Sequence, residues 1–205
     1  MGLSNPNTQK SKFVTIVAGL FTIRLPEGSD HPQAVERVLK KGPKAGQTIK
    51  ELRFSHLDGL LVGGEMKTGD YGTDMVFDLV DGDDSFKLQI PLESGFFGQI
   101  AKRLPNADSS KEIQFIMGHD KEKDKPYIFM RHDGVTVPMK FVKDNPNGMP
   151  PPIKTVNKGQ EGWVWTDQDN FLYDVAVLFL DGIVGEKVAE ATEDYEQLTD
   201  EPVPF

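Results

Sequence analysis

The residues best suited to chemistry lie in PYIFMR, 126–131. Read as a strand, its alternation puts Ile128 and Met130 on one face and Tyr127, Phe129 and Arg131 on the other. Two rings and a cation in a row suit single-stranded nucleic acid: unpaired bases stack on aromatic faces while a guanidinium takes phosphate. Such stacking is worth roughly 1–3 kcal/mol per base and is nearly blind to sequence. The competing reading is that Tyr127 and Phe129 cover a second layer of core, under the apolar segment at 163–180.

Further cations and rings gather around this stretch. GEMKTGDYGT offers Lys67 and Tyr71 in a loop, and Lys87 faces away from Phe86, Leu88 and Ile90 on its own strand. Lys121, Lys123 and Lys125 fill the loop just ahead of PYIFMR. Each lysine alone is ordinary solvated surface; their common address around one face is what makes them candidates. Trp163 and Trp165 share a side if WVW is extended. Trp163 is a further stacking candidate, with burial in a core or an interface the expected fate of at least one of the two.

Catalytic patterns are missing. His56, His119 and His132 each have an aspartate close behind, in SHLDG, GHDKE and RHDGV. Two of those aspartates belong to Asp-Gly turn signals and the third opens a charged loop, so a metal site is not expected. Asp81, Asp83 and Asp84 form an acidic hairpin tip without the glycine and closing glutamate of a calcium loop. There is no P-loop, G-x-S-x-G or H-E-x-x-H. The expectation is a binding protein with no enzymatic activity and no cofactor.

Composition narrows the setting. The 205 residues contain no cysteine, which rules out disulfides, thiolate zinc sites and cysteine nucleophiles. No apolar run approaches the ~18 residues that span a bilayer, and MGLSNPNTQKSKF has no secretory h-region. Pro6 stands where a myristoylation motif needs Ser or Thr. A cytoplasmic protein without membrane contact is expected. Net charge is −9, and six acids with no Lys or Arg fall between Glu190 and Phe205. Polyanion binding therefore has to come from a local patch, because bulk charge opposes it.

The elements that must position these residues are mainly strands. Asp58-Gly59, Asp81-Gly82, Asp133-Gly134 and Asp181-Gly182 are turn signals, the first three flanked by apolar or alternating segments. Two short helices are expected: HPQAVERVLKKG, opening with Pro32 and ending at Gly42, and ESGFFGQIAKRLPN, with Phe97, Ile100, Ala101 and Leu104 on one side. From Ile49 onward the order is long bent strand, hairpin, helix, hairpin. That is the order of an OB-type five-stranded barrel, with Gly63-Gly64 supplying the bend. GEMKTGDYGT then falls in its first long loop, and the lysines at 121–125 in its last.

The expected organisation is a flexible segment 1–11, an OB-like nucleic-acid-binding domain with an N-terminal extension over 12–143, and a Pro/Gly-rich linker or strap over 144–162. An apolar segment follows at 163–185, helix or strand, packing on the core or on a second copy. A disordered acidic tail closes the chain at 186–205.

That tail ends TDEPVPF. A solubilising role accounts for its acids but not for Pro-Val-Pro-Phe. A recognition role accounts for both: the acids steer the segment to a basic surface, and Phe205 enters an apolar pocket while its carboxylate meets Arg or Lys. TDEPVPF resembles the C-terminal tip of bacterial and phage single-stranded DNA-binding proteins, in which acids lead into a final Pro-Phe. The resemblance implies an OB-fold core without catalysis, and a tip that recruits replication, recombination and repair proteins or occupies the protein's own DNA groove. It implies that Asp200 and Glu201 supply charge and that Pro204 and Phe205 are the anchor, with Pro202 and Val203 between them. The extension at 12–42 favours a phage-encoded member, working in the host cytoplasm and possible as a homo-oligomer. The alternatives are a non-enzymatic virion assembly protein with a β-sandwich body, and a replication accessory factor that binds protein only.

Overall fold

In the computed structural model the described residues are 11–40, 42–70, 72–157 and 160–199; for 157 and 185–199 the description is of the backbone alone. The chain is mainly β. It opens with the hairpin β1 (Lys12–Val17) and β2 (Leu20–Arg24), closed by Ala18 and Gly19 at φ of 51° and 74°. Both central residues at positive φ give the twist that matches two right-handed strands. There follow β3 (Val35–Val38), β4 (Thr48–Phe54), the 14-residue β5 (His56–Gly69), β6 (Gly72–Asp81) and β7 (Asp84–Pro91). After α1 (Gly95–Ala101) come β8 (Glu112–Asp120), β9 (Lys125–His132) and the two-residue β10 (Val135–Thr136).

These ten strands form one mixed sheet in the order β10-β9-β8-β5-β6-β7-β1-β2-β4-β3. It is not the closed five-stranded barrel expected from the sequence. The edge of β7 that a closing strand would use is occupied by β1, paired in parallel with Phe13 opposite Lys87. The block β9-β8-β5-β6-β7, with α1 between β7 and β8, does follow the expected strand–helix order. The single long strand expected from Ile49 is two, β4 and β5, separated at Ser55; within β5 the register against β6 shifts between Leu61 and Gly63, and β5 pairs with β8 before the shift and with β6 alone beyond it. Gly64 serves packing. A β-carbon there would stand 2.6 Å from the Val76 carbonyl oxygen and 2.9 Å from Leu180. The absent side chain lets the last helix lie against the strand.

That helix is α2 (Thr166–Thr199). It settles the undecided 163–180 segment: Trp163 and Val164 end a strand, and Leu172, Ala176, Leu180 and Ile183 bury one helical side in the core. The core itself is built from inward residues of the sheet, including Leu61, Phe77, Leu88, Phe115, Ile128 and Met130. Phe97, Ile100, Ala101 and Leu104 add to it from α1 and the 3-10 turn after it, the side expected from their spacing.

Several expectations are corrected. The described residues of the 31–42 stretch form no helix: Val35–Val38 pairs with β4, where Arg37 reaches the fully buried Glu51 through Nε at 2.9 Å. Strand pairing and that ion pair outweigh a helix-like local pattern. The supposed linker 144–162 holds a hairpin, β11 (Ile153–Asn157) against β12 (Gln160–Val164), because its prolines stop at 152 and leave the ladder free. Asp58-Gly59 lies inside β5 and Asp181-Gly182 inside α2, so neither is a turn, and Gly82 and Asp83 are the central pair of the β6–β7 hairpin. Asp133-Gly134 does turn, at φ of 49° and 79°. The disordered tail expected from 186 is helical backbone through Thr199, and AEATEDYEQL is rich in good helix formers. Residues 200–205, with 1–10, lie outside the described residues.

Candidate nucleic-acid interface

Strand β9 turns Ile128 and Met130 fully inward and leaves the odd-numbered residues on the outer face. These are Lys125 and Tyr127, both exposed, and Phe129 and Arg131, both half-buried. The rings of Tyr127 and Phe129 lie 5.9 Å apart at 32°, and the Arg131 guanidinium stacks over Phe129 at 4.9 Å. At about 3.3 Å per residue the row from Lys125 to Arg131 runs roughly 20 Å. Its rings are partly open to solvent on an outer face, and so are not the covered second layer that was the competing reading.

Local structure holds this row in place. Tyr127 leans over Gly118, its cross-strand partner on β8, and Ile116 and Gln114 stand opposite Phe129 and Arg131. The outer edge of β9 is fixed by the Ile128 N–H donating to the Gln99 side-chain oxygen of α1 (3.1 Å). At the far end His132 ties two segments together. Its Nε2 accepts from the Asp108 amide at 3.0 Å, so Nδ1–H donates to the Glu112 carbonyl at 2.8 Å. Across the face, Asp58, Gln114 and Arg131 line up on three strands. Asp58 Oδ1 and Arg131 Nε are shielded from solvent and have no hydrogen-bond partner among the described residues. A solvent-shielded guanidinium nitrogen without an acceptor is a costly arrangement, and the side chain has to move before that nitrogen can meet a ligand.

The loop ahead of β9 is densely charged but balanced, Lys121, Lys123 and Lys125 being matched in number by Asp120, Glu122 and Asp124. Asp120 accepts the Glu122 and Lys123 amides at 3.0 and 3.2 Å, folding the loop back. The Lys123 amide contributes most, followed after the opposing effect of desolvation by the Glu122 amide, and the Asp120 carboxyl is held below its usual range. Lys123 also pairs with Asp120 at 3.5 Å, and His119 with Asp124 at 3.2 Å. Lys121 and Lys125 are exposed.

Lys67 and Lys87 do not join this row. They occupy the outer face of β5 and β7, and β7 lies four strands from β9, about 19 Å along the sheet at ~4.8 Å per strand. Lys87 is bound to Asp78 at 2.7 Å, with Glu65 at 3.9 Å, and Lys67 stands 4.0 Å from Glu65 and over the Phe13 ring. Their charge is largely met within the chain. Tyr71 lies outside the described residues.

Trp163 sits in a third place. Together with Trp165, Met149 and Pro152 it lines a pocket of about 560 Å³, whose rim carries Lys102 and Lys143. Both tryptophans are about half exposed, at 57% and 48%, so neither meets the burial expected for one of them. Gln168 Nε2 donates to the Pro150 carbonyl at 3.0 Å, pinning the proline run to the start of α2. Burial holds the Lys102 ammonium below the usual lysine range; Asp169 partly offsets this and Arg103 adds to it.

Sequence reasoning missed Gly118, Gln99, Lys102 and Lys143. A glycine opposite a tyrosine is visible only once the β8–β9 register is known, and the lysine pair meets the tryptophans only through α1 and the β11–β12 hairpin. Among the described residues no cluster of three or more His, Cys, Asp or Glu is placed to hold a metal, and no helix is long and apolar enough to cross a membrane. No protein-family model, curated protein or solved structure matches the chain.

Proposed function

We propose that the protein binds single-stranded DNA without sequence preference, through the outer face of β9, and that it is a phage-type DNA-binding protein acting in replication or recombination without catalysis. The observation that carries this reading is the Lys125–Tyr127–Phe129–Arg131 row, with two neighbouring rings partly open to solvent and a guanidinium stacked beside them. Bases stack on Tyr127 and Phe129, while Arg131, Lys125 and the loop lysine Lys123 take phosphates. The strand order of the β9-β8-β5-β6-β7 block supports an OB-type core carrying an added N-terminal sheet. Residues 200–205 recruit partner proteins in the cytoplasm, their acids steering and Pro204 and Phe205 anchoring.

The test is a fluorescence titration with oligo-dT and with matched duplex, at low and moderate salt. Saturable binding to oligo-dT that weakens steeply with salt is expected, since bound lysines and arginines release counterions from phosphate. An absence of saturable oligo-dT binding at low salt would sink the reading. For the tail, deleting residues 199–205 is expected to abolish partner pull-down and leave oligo-dT affinity unchanged or improved.

A further inference from the structure

We propose that residues 200–205 of one copy of this chain dock in the Trp163–Trp165 pocket of a second copy. The inference rests on reading this segment as a recognition element, and not on nucleic-acid binding.

The chemistry of the two parts matches. The pocket is walled by Trp163, Trp165, Met149 and Pro152, carries Lys102 and Lys143, and has no acid among its described lining residues. Aromatic-lined grooves take proline-containing segments because such segments are already extended and lose little entropy on docking. Pro202-Val203-Pro204-Phe205 is a segment of that kind, and Asp200 and Glu201 directly ahead of it answer the two lysines. Lys102, partly desolvated in the wall, gains from a carboxylate brought beside it.

Helix α2 decides which copy supplies the segment. It begins at Thr166, beside the pocket through Trp165 and Gln168, and runs unbroken to Thr199. At 1.5 Å per residue, the helix carries its end about 46 Å from Gln168. Six extended residues reach back at most about 22 Å, so Phe205 falls some 24 Å short of its own pocket. A second copy has no such restriction. Mutual exchange closes as a dimer, and one-way exchange propagates head to tail.

The experiment uses a fluorescein-labelled peptide of residues 194–205, titrated by anisotropy against the full chain, alongside sedimentation of the unlabelled protein. Saturable peptide binding with quenching of tryptophan emission is expected. Trp163→Ala and Lys143→Glu, both at exposed positions, should each weaken binding about tenfold or more, and a peptide carrying Phe205→Ala should bind comparably weakly. Concentration-dependent association of the full chain should disappear on deleting residues 200–205. The proposal is overturned if the peptide does not bind, or if both pocket substitutions leave its affinity within about twofold. It is equally overturned if binding is lost in Tyr127→Ala and displaced by oligo-dT, which would put the segment on the β9 face. Because oligo-dT affinity is measured separately, failure here leaves the nucleic-acid reading standing, and the reverse.

Discussion

The ring of Tyr127 lies over Gly118, with its Cε2 2.6 Å from where a β-carbon on that glycine would stand. The glycine is what lets a large ring lie across the neighbouring strand instead of pointing away from it. Replacing it with valine has to lift the ring and disturb its 5.9 Å pairing with Phe129. If the two rings form a stacking platform, losing one stacked base costs roughly 1–3 kcal/mol. Gly118→Val is therefore expected to lower oligo-dT affinity about fivefold or more in a fluorescence titration. Circular dichroism at the same temperature should show the fold retained, because the ring moves toward solvent.

The loop at 121–124 depends on one carboxylate. The amides of Lys123 and Glu122 favour the charged form of Asp120 and hold its folded pKa below the ordinary value. For an acid shifted this way, the stabilisation is present above the unfolded pKa, ~4, and is lost as pH falls through the lower folded one. The ¹H–¹⁵N resonances of Glu122 and Lys123 are expected to titrate together with a midpoint below the ordinary aspartate value. Asp120→Ala should abolish that transition and leave the loop lysines less ordered at neutral pH. A midpoint at or above the ordinary aspartate value would contradict the capping role.

Glu51 is fully buried between two arginines. Arg37 Nε approaches Oε1 and Oε2 at 3.1 and 2.9 Å, and Arg53 reaches Oε1 through Nε and Nη2 at 3.0 and 2.8 Å. Removing the carboxylate strands two partly buried guanidinium groups, the situation in which breaking a buried pair costs about 3–5 kcal/mol. Glu51→Ala is expected to lower the unfolding free energy obtained from a urea titration by an amount in that range, with a matching fall in the midpoint. Arg37→Ala should cost less, because Arg53 still holds Oε1 and keeps the buried charge paired. Protection of β3 amides from exchange should fall in both, since Arg37 ties that four-residue edge strand to β4.

Sequence alone revealed whatever depended on neighbours along the chain. The alternation of PYIFMR, the Asp133-Gly134 turn and the apolar side of ESGFFGQIAKRLPN are each set by local periodicity or backbone conformation. What stayed hidden depends on partners distant in sequence. Val35–Val38 forms a strand because β4 and the Glu51 carboxylate lie beside it, 14 positions away at Arg37. The parallel pairing of β1 with β7 joins residues more than 70 positions apart and leaves no periodic trace in either. Candidate lysines were grouped by their place around an imagined barrel, and the order of the open sheet is what separates Lys67 and Lys87 from Arg131. Acids opposite a lysine, such as Asp78 across from Lys87, become visible only with register.

That separation makes a sharp comparison between cations. Arg131 has a stacked ring beneath it and an Nε with no partner among the described residues, whereas Lys87 is bound to Asp78 at 2.7 Å. A phosphate contact through Lys87 would first have to break that pair and leave Asp78 facing the anion. Arg131→Ala is expected to weaken oligo-dT binding about tenfold and to reduce the slope of log affinity against log salt by about one. Arg131→Lys should keep the slope, since the charge remains, yet lose part of the affinity because an ammonium cannot stack as a plane. Lys87→Ala should change affinity by less than about twofold and leave the slope unaltered. Equal losses at Lys87 and Arg131 would move the binding path off β9 and onto the β5–β7 face.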